Sequence, residues 1–420
     1  MREGLKLLAL LIGKVWLIVI GGLFLIYLIK NGAVAIAINE LNINLIIMLI
    51  LLTLSTLFII VYYLRYWKYI LMPYSLKLIS QPKGENKEIS VFLDKFKKYD
   101  KKKNIIYYKN KNAIDIKLYQ DKKREIIHYL GLHNKSVELN IKPYKNKWVK
   151  IHNYKLPYSF DFDIGKLKQG FIYYGVSKDG DYYKKLDEQT SMITVAESGA
   201  GKSNLLNLLL YSIFWNYNNA KDSLIDYTVL IDLKGNELSL YNYKNTKFID
   251  TIEGVETIFK ELKEIMYNRY KVMKETGDKK FKGLPIFVVI DEVGTIGTYF
   301  DKKIKDNIFN DMIELFQKGR ACKIIFMIFA QKCDSTNIPS NVLTNIQTRV
   351  LMKTDSDFNT NAMIGTKETI EEITLQEVAN FNRGRAIIKD GENSKKDLIQ
   401  VPYISEKQHL AIVKSLNYLK

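Results

Sequence analysis

The segment Ala196-Glu197-Ser198-Gly199-Ala200-Gly201-Lys202-Ser203-Asn204 follows an apolar run typical of a strand and precedes a leucine-rich run with helical spacing. Phosphate-binding loops occur at such turns, because glycine lets backbone N–H groups close around phosphates at a helix N-terminus. We expect all nine residues to contact a nucleotide, with the Lys202 ammonium on the β and γ oxygens and the Ser203 hydroxyl on Mg²⁺. The alternative is a glycine-rich turn with a surface lysine, since Ala196 stands where the pattern usually has glycine.

A second apolar run, residues 286–290, ends directly in the two acids Asp291 and Glu292. Phosphoryl transfer depends on positioning and on neutralising charge, so a strand ending in carboxylates suits it. We expect Asp291 to hold Mg²⁺ through water and Glu292 to orient or deprotonate the attacking water, both as parts of an ATP-hydrolysing site. The alternative is a buried strand with exposed acids at its end.

Strands and helices alternate from Pro157 onwards, which predicts an α/β fold with a parallel sheet flanked by helices. The pattern places strands at 228–231, 324–330 and 350–353, and helices at about 255–274 and before Arg320. Gln331 directly follows the strand at 324–330, so we expect it beside the γ-phosphate, where it would sense hydrolysis. An ordinary strand-end glutamine is the alternative.

Two apolar stretches near the N-terminus, at 5–29 and 45–64, are each long enough to cross a bilayer. They predict a transmembrane hairpin within residues 1–70, although the first stretch could also be a signal sequence. Basic residues flank the hairpin on its outer sides, so the positive-inside rule places both termini in the cytoplasm. Five aromatic residues would form a belt at the inner boundary: Tyr62, Tyr63, Tyr66, Trp67 and Tyr69.

The stretch after the hairpin predicts a linker at 71–90 and a small basic α+β module at 91–160. In the module, lysines between 95 and 111 alternate with tyrosines, and short strands are expected at 114–118 and 137–141. A basic and aromatic mixture can bind nucleic acid. A solvated face near an anionic membrane leaflet explains the same composition, and the sequence leaves both interpretations open.

The composition is that of a basic intracellular protein. The chain has 420 residues, a formal net charge of +18 and a pI near 9.4, which suits a polyanion or an anionic membrane surface as partner. A lysine-rich profile with much Asn, Ile, Tyr and Phe can also reflect an AT-rich genome. The two cysteines, Cys322 and Cys333, predict neither a disulfide framework nor a zinc site.

The segments that carry a family resemblance are 196–203, 231–239, 266–273, 290–292, 319–321, 329–331 and 345–349. In this order they resemble the FtsK/SpoIIIE-type DNA translocases, and the hairpin and basic module before them resemble the FtsK-like coupling proteins of conjugative plasmids and integrative conjugative elements. The resemblance implies a RecA-like P-loop motor domain at 161–420 that assembles as a homo-hexamer around DNA. It also implies that Arg320 enters the neighbouring subunit's ATP site, with Arg349 as the second choice.

The resemblance predicts a membrane-anchored, ATP-driven DNA translocase that meets a relaxase and channel proteins at the bacterial cell membrane. The alternatives are a chromosome translocase of division or sporulation, a protein-secreting ATPase of the type VII kind, and a membrane scaffold that uses ATP only to assemble. Lys202, Asp291 and Glu292 argue against the scaffold, because a scaffold has no need of a catalytic glutamate.

Overall fold

The computed structural model describes residues 38–80, 92–93, 95–109, 115–132, 137–145, 148–218, 223–235, 237–241, 245–334, 337–391 and 395–418. The chain divides into two compact units, Met1–Asn153 and Tyr154–Lys420. The predicted first membrane span, at 5–29, lies outside the described residues.

The first unit contains a 38-residue helix, α1 (Ile38–Ser75), that continues through a proline. Pro73 has no N–H, so the carbonyl of Tyr69 loses its partner within the helix. The hydroxyl of Tyr108 donates to that carbonyl at 2.7 Å and takes the place of the missing N–H. The predicted linker is therefore wrong at its beginning: Leu71 is helical and buried.

One stretch of α1, Ile50–Ser75, is long and apolar enough to cross a membrane, with a mean hydropathy of 1.6, and it is the one such helix among the described residues. Only 6% of its apolar window is buried. This agrees with the position of the second predicted span.

The rest of the first unit is a small antiparallel sheet with two short helices. Its elements are β1 (Ile79–Ser80), β2 (Phe92–Leu93), β3 (Lys95–Asp100), β4 (Ile105–Lys109), α2 (Ile116–Asp121), α3 (Lys123–Leu130), β5 (Glu138–Pro143) and β6 (Trp148–Tyr154). Strands β1 and β2 pair with each other, and the other four form a sheet in the order β3-β4-β6-β5. The strand predicted at 114–118 is wrong: the Asp115 side chain accepts from the Lys117 N–H and caps α2 at this point.

The second unit is built around one ten-stranded sheet. Its strands are β7 (Phe171–Ser177), β8 (Gly180–Lys185), β9 (Met192–Val195), β10 (Thr228–Ile231), β11 (Thr246–Ile249), β12 (Ile286–Ile290), β13 (Ile324–Ala330), β14 (Thr348–Leu351), β15 (Arg385–Lys389) and β16 (Lys396–Gln400). They lie in the order β11-β10-β12-β13-β9-β14-β15-β16-β7-β8. The first six strands in this order, which end with β14, are parallel to one another. Each of the remaining four strands is antiparallel to the strand before it.

Helices cover both faces of this sheet. They are α4 (Lys202–Asn218), α5 (Ile252–Thr276), α6 (Gly294–Gly297), α7 (Lys302–Gly319), α8 (Ser340–Asn345), α9 (Asp357–Met363), α10 (Lys367–Ile373) and α11 (Glu406–Tyr418). Alternate side chains of β12 pack into two separate cores, one with α5 and α7 and the other with α4 and α11. A strand buried on both faces reads as a continuous apolar run, which is why β12 and β13 were predictable from the sequence. The predicted α/β architecture is confirmed.

The topology brings the carboxyl ends of the parallel strands to one edge of the sheet. The residue that follows β9 is Ala196, and Asp232, Asp291 and Gln331 follow β10, β12 and β13. Ligands of open α/β sheets bind outside the carboxyl ends of the strands. The candidate site therefore lies at this edge.

Candidate nucleotide-binding site

The glycine-rich loop after β9 depends on two glycines in left-handed conformations. Gly199 has φ +78° and Gly201 has φ +101°. A Cβ on Gly201 would lie 2.9 Å from the backbone nitrogen of Gly384, in the turn before β15, whereas a Cβ on Gly199 would meet nothing within 4 Å. The Gly384 N–H also donates to the Ala200 carbonyl at 2.8 Å. The turn that contains Gly384 thus packs against the loop at Ala200 and Gly201 and supports its conformation.

The first two residues of the loop attach it to neighbouring strands. The N–H of Ala196 donates to the Ala330 carbonyl at 3.1 Å, and the N–H of Glu197 donates to the Lys353 carbonyl at 3.2 Å. Ala196 keeps a negative φ, so glycine is not required at this position. These two N–H groups hold the loop in place, and the assignment of Ala196 and Glu197 as nucleotide contacts stays a prediction.

The Glu197 carboxylate has a structural role as well. It accepts from the Thr354 hydroxyl at 2.6 Å and from the Asp355 N–H at 2.8 Å, both just after β14. Burial alone would raise the pKa of Glu197, but these hydrogen bonds outweigh it and hold the pKa below its usual value. The carboxylate is therefore ionised at neutral pH and ties the loop to β14.

The remaining part of the loop has the features of a phosphate site. Helix α4 begins at Lys202, and the first N–H groups of a helix have no acceptor within it. With the positive end of the helix dipole, they favour an anion at this position. Because Gly199 leaves open space where a side chain would stand, the loop formed by 198–204 fits the triphosphate of ATP.

The Lys202 ammonium lies between the two predicted acids. Its Nζ is 3.0 Å from Oδ1 of Asp291 and 3.5 Å from Oε2 of Glu292, and all three side chains are at least 85% buried. Ions that are removed from water need partners at such distances. The structure thus brings Lys202, Asp291 and Glu292 together, as the sequence predicted, and a bound phosphate would compete with both carboxylates for the lysine.

Ser203, the predicted Mg²⁺ ligand, contacts a carboxylate that the sequence interpretation did not identify. Its hydroxyl donates to Oε1 of Glu237 at 3.0 Å. Glu237 is placed by Asp232, whose buried carboxylate accepts four backbone N–H groups of the following loop, those of residues 234, 235, 237 and 238. The segment 231–239 carried part of the family resemblance, but the spacing alone gave no role to its glutamate.

The donor set of this site suits Mg²⁺. Within the described ranges, no group of three or more His, Cys, Asp or Glu side chains forms a ready-made metal cage. Mg²⁺ is commonly held by one or two protein groups together with substrate phosphates and water, and Ser203 and Asp291, with Glu237 beside them, supply such groups. Mg²⁺ held by these residues would supply positive charge that neutralises the phosphates.

Gln331 lies next to the catalytic candidate Glu292. Its backbone N–H donates to Oε1 of Glu292 at 3.4 Å, and its side chain is exposed. Strand β13 pairs with β9 immediately before the loop, so Gln331 follows the strand adjacent to the phosphate loop. This is the location expected of a sensor, a role that stays a prediction.

Arg320 lies at the opposite edge of the sheet. It ends α7 just before β13 and lines a cleft with Asp187, Glu188 and Lys280. Strand β13 has seven residues, which corresponds to about 20 Å, so Arg320 is remote from the ATP site of its own subunit. An action in a neighbouring subunit stays a prediction.

The second-choice arginine, Arg349, is used within its own domain. Its guanidinium donates to the carbonyls of Ala362 and Leu343 at 2.6 and 3.1 Å. Burial lowers the pKa of Arg349, although not enough to matter at neutral pH. These bonds hold α8 and α9 against β14, so Arg349 has a structural role in its own domain, and an action of Arg349 in trans stays a prediction.

The C-terminal helix α11 is attached to the phosphate-loop helix near the same site. Nδ1 of His409 lies 2.6 Å from the hydroxyl of Tyr211 on α4. Burial lowers the pKa of His409, while the charges of Glu237 and Glu406 oppose that shift. His409 is therefore neutral at pH 7 and pairs with Tyr211 without carrying charge.

Comparison with known proteins identifies the fold of this chain through solved structures. No family model and no curated protein matches the sequence. The solved structure of the conjugation coupling protein TcpA of pCW3, a monomer form with ATPγS, matches with a TM-score of 0.55 and 20% identity, over 85% of this chain and 99% of that one. EssC (ATPases 2 and 3) from Geobacillus thermodenitrificans matches with a TM-score of 0.52 and 18% identity, over 64% of this chain and 52% of that one. The resemblance expected from the sequence is thus confirmed at the level of the fold, which this chain shares with TcpA and EssC.

Proposed function

We propose that this protein is a membrane-anchored ATPase that translocates DNA and acts as the coupling protein of a conjugation apparatus. ATP binds with Mg²⁺ at the loop 196–204, and hydrolysis drives the DNA toward the channel. The protein resides in the bacterial cell membrane, with both termini and the motor domain in the cytoplasm. Its partners are DNA, further copies of itself in a hexamer, a relaxase and channel proteins.

The observation that carries the ATPase part of the proposal is the convergence of Lys202, Ser203, Asp291 and Glu292 at one edge of the sheet. Each residue has a distinct task in phosphoryl transfer. Lys202 neutralises charge on the phosphates, Ser203 and Asp291 hold the metal, and Glu292 orients or deprotonates the water. The Lys202 contact with both carboxylates keeps these groups close together before a nucleotide enters.

The coupling role is supported by the extent of the structural match. TcpA is a conjugation coupling protein, and the match covers nearly all of that chain and 85% of this one. The match is thus too long to lie within the motor unit alone, which is residues 154–420. The exposed apolar part of α1 supports an anchor in the membrane.

The test is an ATPase and translocation assay on the purified full chain in detergent. We expect duplex or single-stranded DNA to stimulate hydrolysis, and a moving protein to displace a bound oligonucleotide or streptavidin from that DNA. Lys202→Ala and Glu292→Gln should abolish hydrolysis, with Glu292→Gln still binding ATP because its phosphate contacts are intact. If Glu292→Gln hydrolysed ATP at the parental rate, the catalytic assignment would be wrong.

A protein-secreting ATPase of the type VII kind is the second candidate, favoured by the match to EssC. The two candidates differ in what stimulates the ATPase. A protein substrate that stimulated hydrolysis while DNA did not would favour secretion. In cells, loss of conjugative transfer in the Lys202→Ala strain would support the coupling role, and a chromosome-segregation defect alone would support a chromosome translocase.

A further inference from the structure

Helix α1 changes its environment at Leu64. Before this residue, large apolar side chains are strongly exposed: Ile47, Met48, Ile50, Leu51, Leu54, Leu57, Phe58, Val61 and Leu64. The first charged residue of α1 after Glu40, Arg65, follows directly, and Leu71 and Met72 are then covered by the rest of the unit. The predicted span 45–64 has a length of about 30 Å, which equals the hydrocarbon thickness of a bilayer. In an anchored protein, residues just after Leu64 lie at the level of the lipid headgroups.

Strand β3 begins at this level and runs away from the membrane. The ring of Phe96, near the start of β3, lies 6.5 Å from Tyr62 and 5.6 Å from Tyr66. The ring of Phe96 also lies 5.8 Å from Tyr69, and the ring of Tyr99, near the end of β3, is stacked at 4.9 Å on Tyr69, two turns beyond Tyr62. The beginning of β3 is therefore within about 10 Å of Leu64 along the helix axis.

The end of the sheet that faces the membrane carries a cluster of lysines, which we call the basic edge: Lys95, Lys97, Lys98 and Lys109. Lys95, Lys97 and Lys98 are exposed, and a bulge between Phe96 and Lys98 breaks the alternation of the strand. Lys109 of β4 lies directly opposite Lys95 in the register. Like charges in this arrangement destabilise a sheet unless a counter-charge is present.

We propose that the basic edge binds the headgroups of anionic phospholipids in the cytoplasmic leaflet, an inference that rests on the proposed membrane anchor. Each lysine near an anionic membrane surface contributes about 1 kcal/mol of attraction. The headgroups supply counter-charge to the opposed lysines Lys95 and Lys109. The bound lipids hold the sheet against the membrane surface.

The aromatic residues of β3 and β4 favour lipid over nucleic acid as the ligand of the basic edge. Single-stranded nucleic acid binds to basic surfaces through bases stacked on accessible aromatic rings. Tyr108 is fully buried, Phe96 packs against rings of α1, and Tyr107 is 8% exposed with the Lys98 ammonium 4.9 Å above its ring. The rings between the lysines are thus used inside the unit and offer no platform for a base.

The experiment measures energy transfer from tryptophan, including Trp67 at the headgroup level, to dansyl-labelled lipids in detergent micelles that contain the full chain. Dansyl-phosphatidylglycerol probes the anionic headgroup, and dansyl-phosphatidylcholine reports transfer that does not depend on charge. For the parental protein, we expect energy transfer to reach half of its maximum at a lower mole fraction of dansyl-phosphatidylglycerol than of dansyl-phosphatidylcholine. The two mole fractions should differ about tenfold or more. Lys95→Gln/Lys97→Gln/Lys98→Gln should lose most of this preference.

The β3–β4 turn provides a matched control. Lys101→Gln/Lys102→Gln/Lys103→Gln removes the same charge from the same hairpin, but these exposed lysines lie beyond the other end of β3, about 20 Å along the strand from its start. This variant should keep the preference, and Lys95→Arg/Lys97→Arg/Lys98→Arg should keep it too, since its charge is intact. An equal loss in both glutamine variants, or a loss in neither, would overturn the proposal.

Two further outcomes separate the alternatives. The same proteins are titrated with fluorescein-labelled DNA, and a β3 glutamine variant that loses DNA affinity but keeps its lipid preference would overturn the proposal in favour of nucleic acid. Absence of energy transfer to either lipid in the parental protein would refute the membrane anchor itself. Transfer without a preference for phosphatidylglycerol would refute the lipid site alone.

Discussion

Gly201→Ala should disrupt the phosphate loop more severely than Gly199→Ala, although both glycines have positive φ. An alanine in a left-handed or more extreme conformation costs about 1–3 kcal/mol, and this applies to both positions. At Gly201 the new Cβ also lies 2.9 Å from the nitrogen and 3.2 Å from the Cα of Gly384, atoms of the backbone that no rotamer change can move. At Gly199 it meets nothing.

The additional cost at Gly201 can be estimated from the contacts. Relief of the collision separates the loop from the Gly384 turn, which strains or breaks the 2.8 Å hydrogen bond from the Gly384 N–H to the Ala200 carbonyl. Overpacking of this kind costs about 1–3 kcal/mol, and a lost hydrogen bond about 1 kcal/mol. Gly201→Ala should therefore weaken ATP binding about tenfold or more beyond Gly199→Ala.

The assay is an equilibrium titration of the full chain with a fluorescent ATP analogue, combined with thermal unfolding to detect any general loss of structure. Gly384→Ala tests the contact from the other side, since its Cβ would lie 2.8 Å from the Val401 carbonyl oxygen. It should also weaken ATP binding, although Gly384 is 183 residues from Gly201. If Gly199→Ala impaired binding as much as Gly201→Ala, the Gly384 turn would have no supporting role and the reasoning would be refuted.

Three other changes test the site. Glu237→Gln removes a charge beside Ser203 and should raise the Mg²⁺ concentration for half-maximal ATPase about fivefold, as expected from about 1 kcal/mol for one carboxylate near a cation; an unchanged Mg²⁺ dependence would contradict its place at the metal site. Burial lowers the pKa of His409 in the folded protein, although the charges of Glu237 and Glu406 oppose this shift. As the pH falls, the histidine is therefore protonated in the unfolded chain before it is protonated in the folded one. The free energy of unfolding should then decrease as the pH drops below about 6.5. His409→Gln should flatten that decline in thermal unfolding between pH 7 and 5, and an equal slope in both proteins would refute the assignment. Arg320→Ala should reduce turnover by roughly 10³-fold and regain activity when mixed with Lys202→Ala subunits, whereas mixed rings without recovery would rule out action in trans.

The proximity of the central residues of the site was predictable because apolar runs in the local sequence determine where the strands end. Strands β10, β12 and β13 are buried on both faces and read as apolar runs, and candidate site residues directly follow such runs. Parallel strands bring those ends to one edge. The proximity of Lys202, Asp291 and Glu292 then follows from the topology without any knowledge of the loops.

The contacts that the sequence did not predict depend on loop conformation or on distant residues. Glu237 reaches Ser203 because Asp232 binds four N–H groups of one loop, and spacing alone does not specify such a turn. Gly384 supports the phosphate loop from 183 residues away, beyond the range of any local pattern. At 114–118, alternation suggested a strand, but the cap at Asp115 started a helix.

The prediction that a linker begins at residue 71 was wrong for a similar reason. Proline in an apolar helix signals a break, since it removes a hydrogen bond of the helix. The hydroxyl that restores the bond belongs to Tyr108, 35 residues beyond Pro73. A contact of this kind depends on tertiary packing and has no sign in the local sequence.

The continuity of α1 through Pro73 has a mechanical consequence. A motor protein that pulls on a polymer experiences an equal force in the opposite direction. If the motor is anchored in a membrane, its anchor must transmit that force to the bilayer. A helix of 38 residues is about 57 Å long, and in the proposed anchored translocase a hinge at Pro73 would let it bend under that force. The hydrogen bond from the Tyr108 hydroxyl to the Tyr69 carbonyl joins the helix to β4 at this point, so in such a protein α1 and the small sheet would bear the force together.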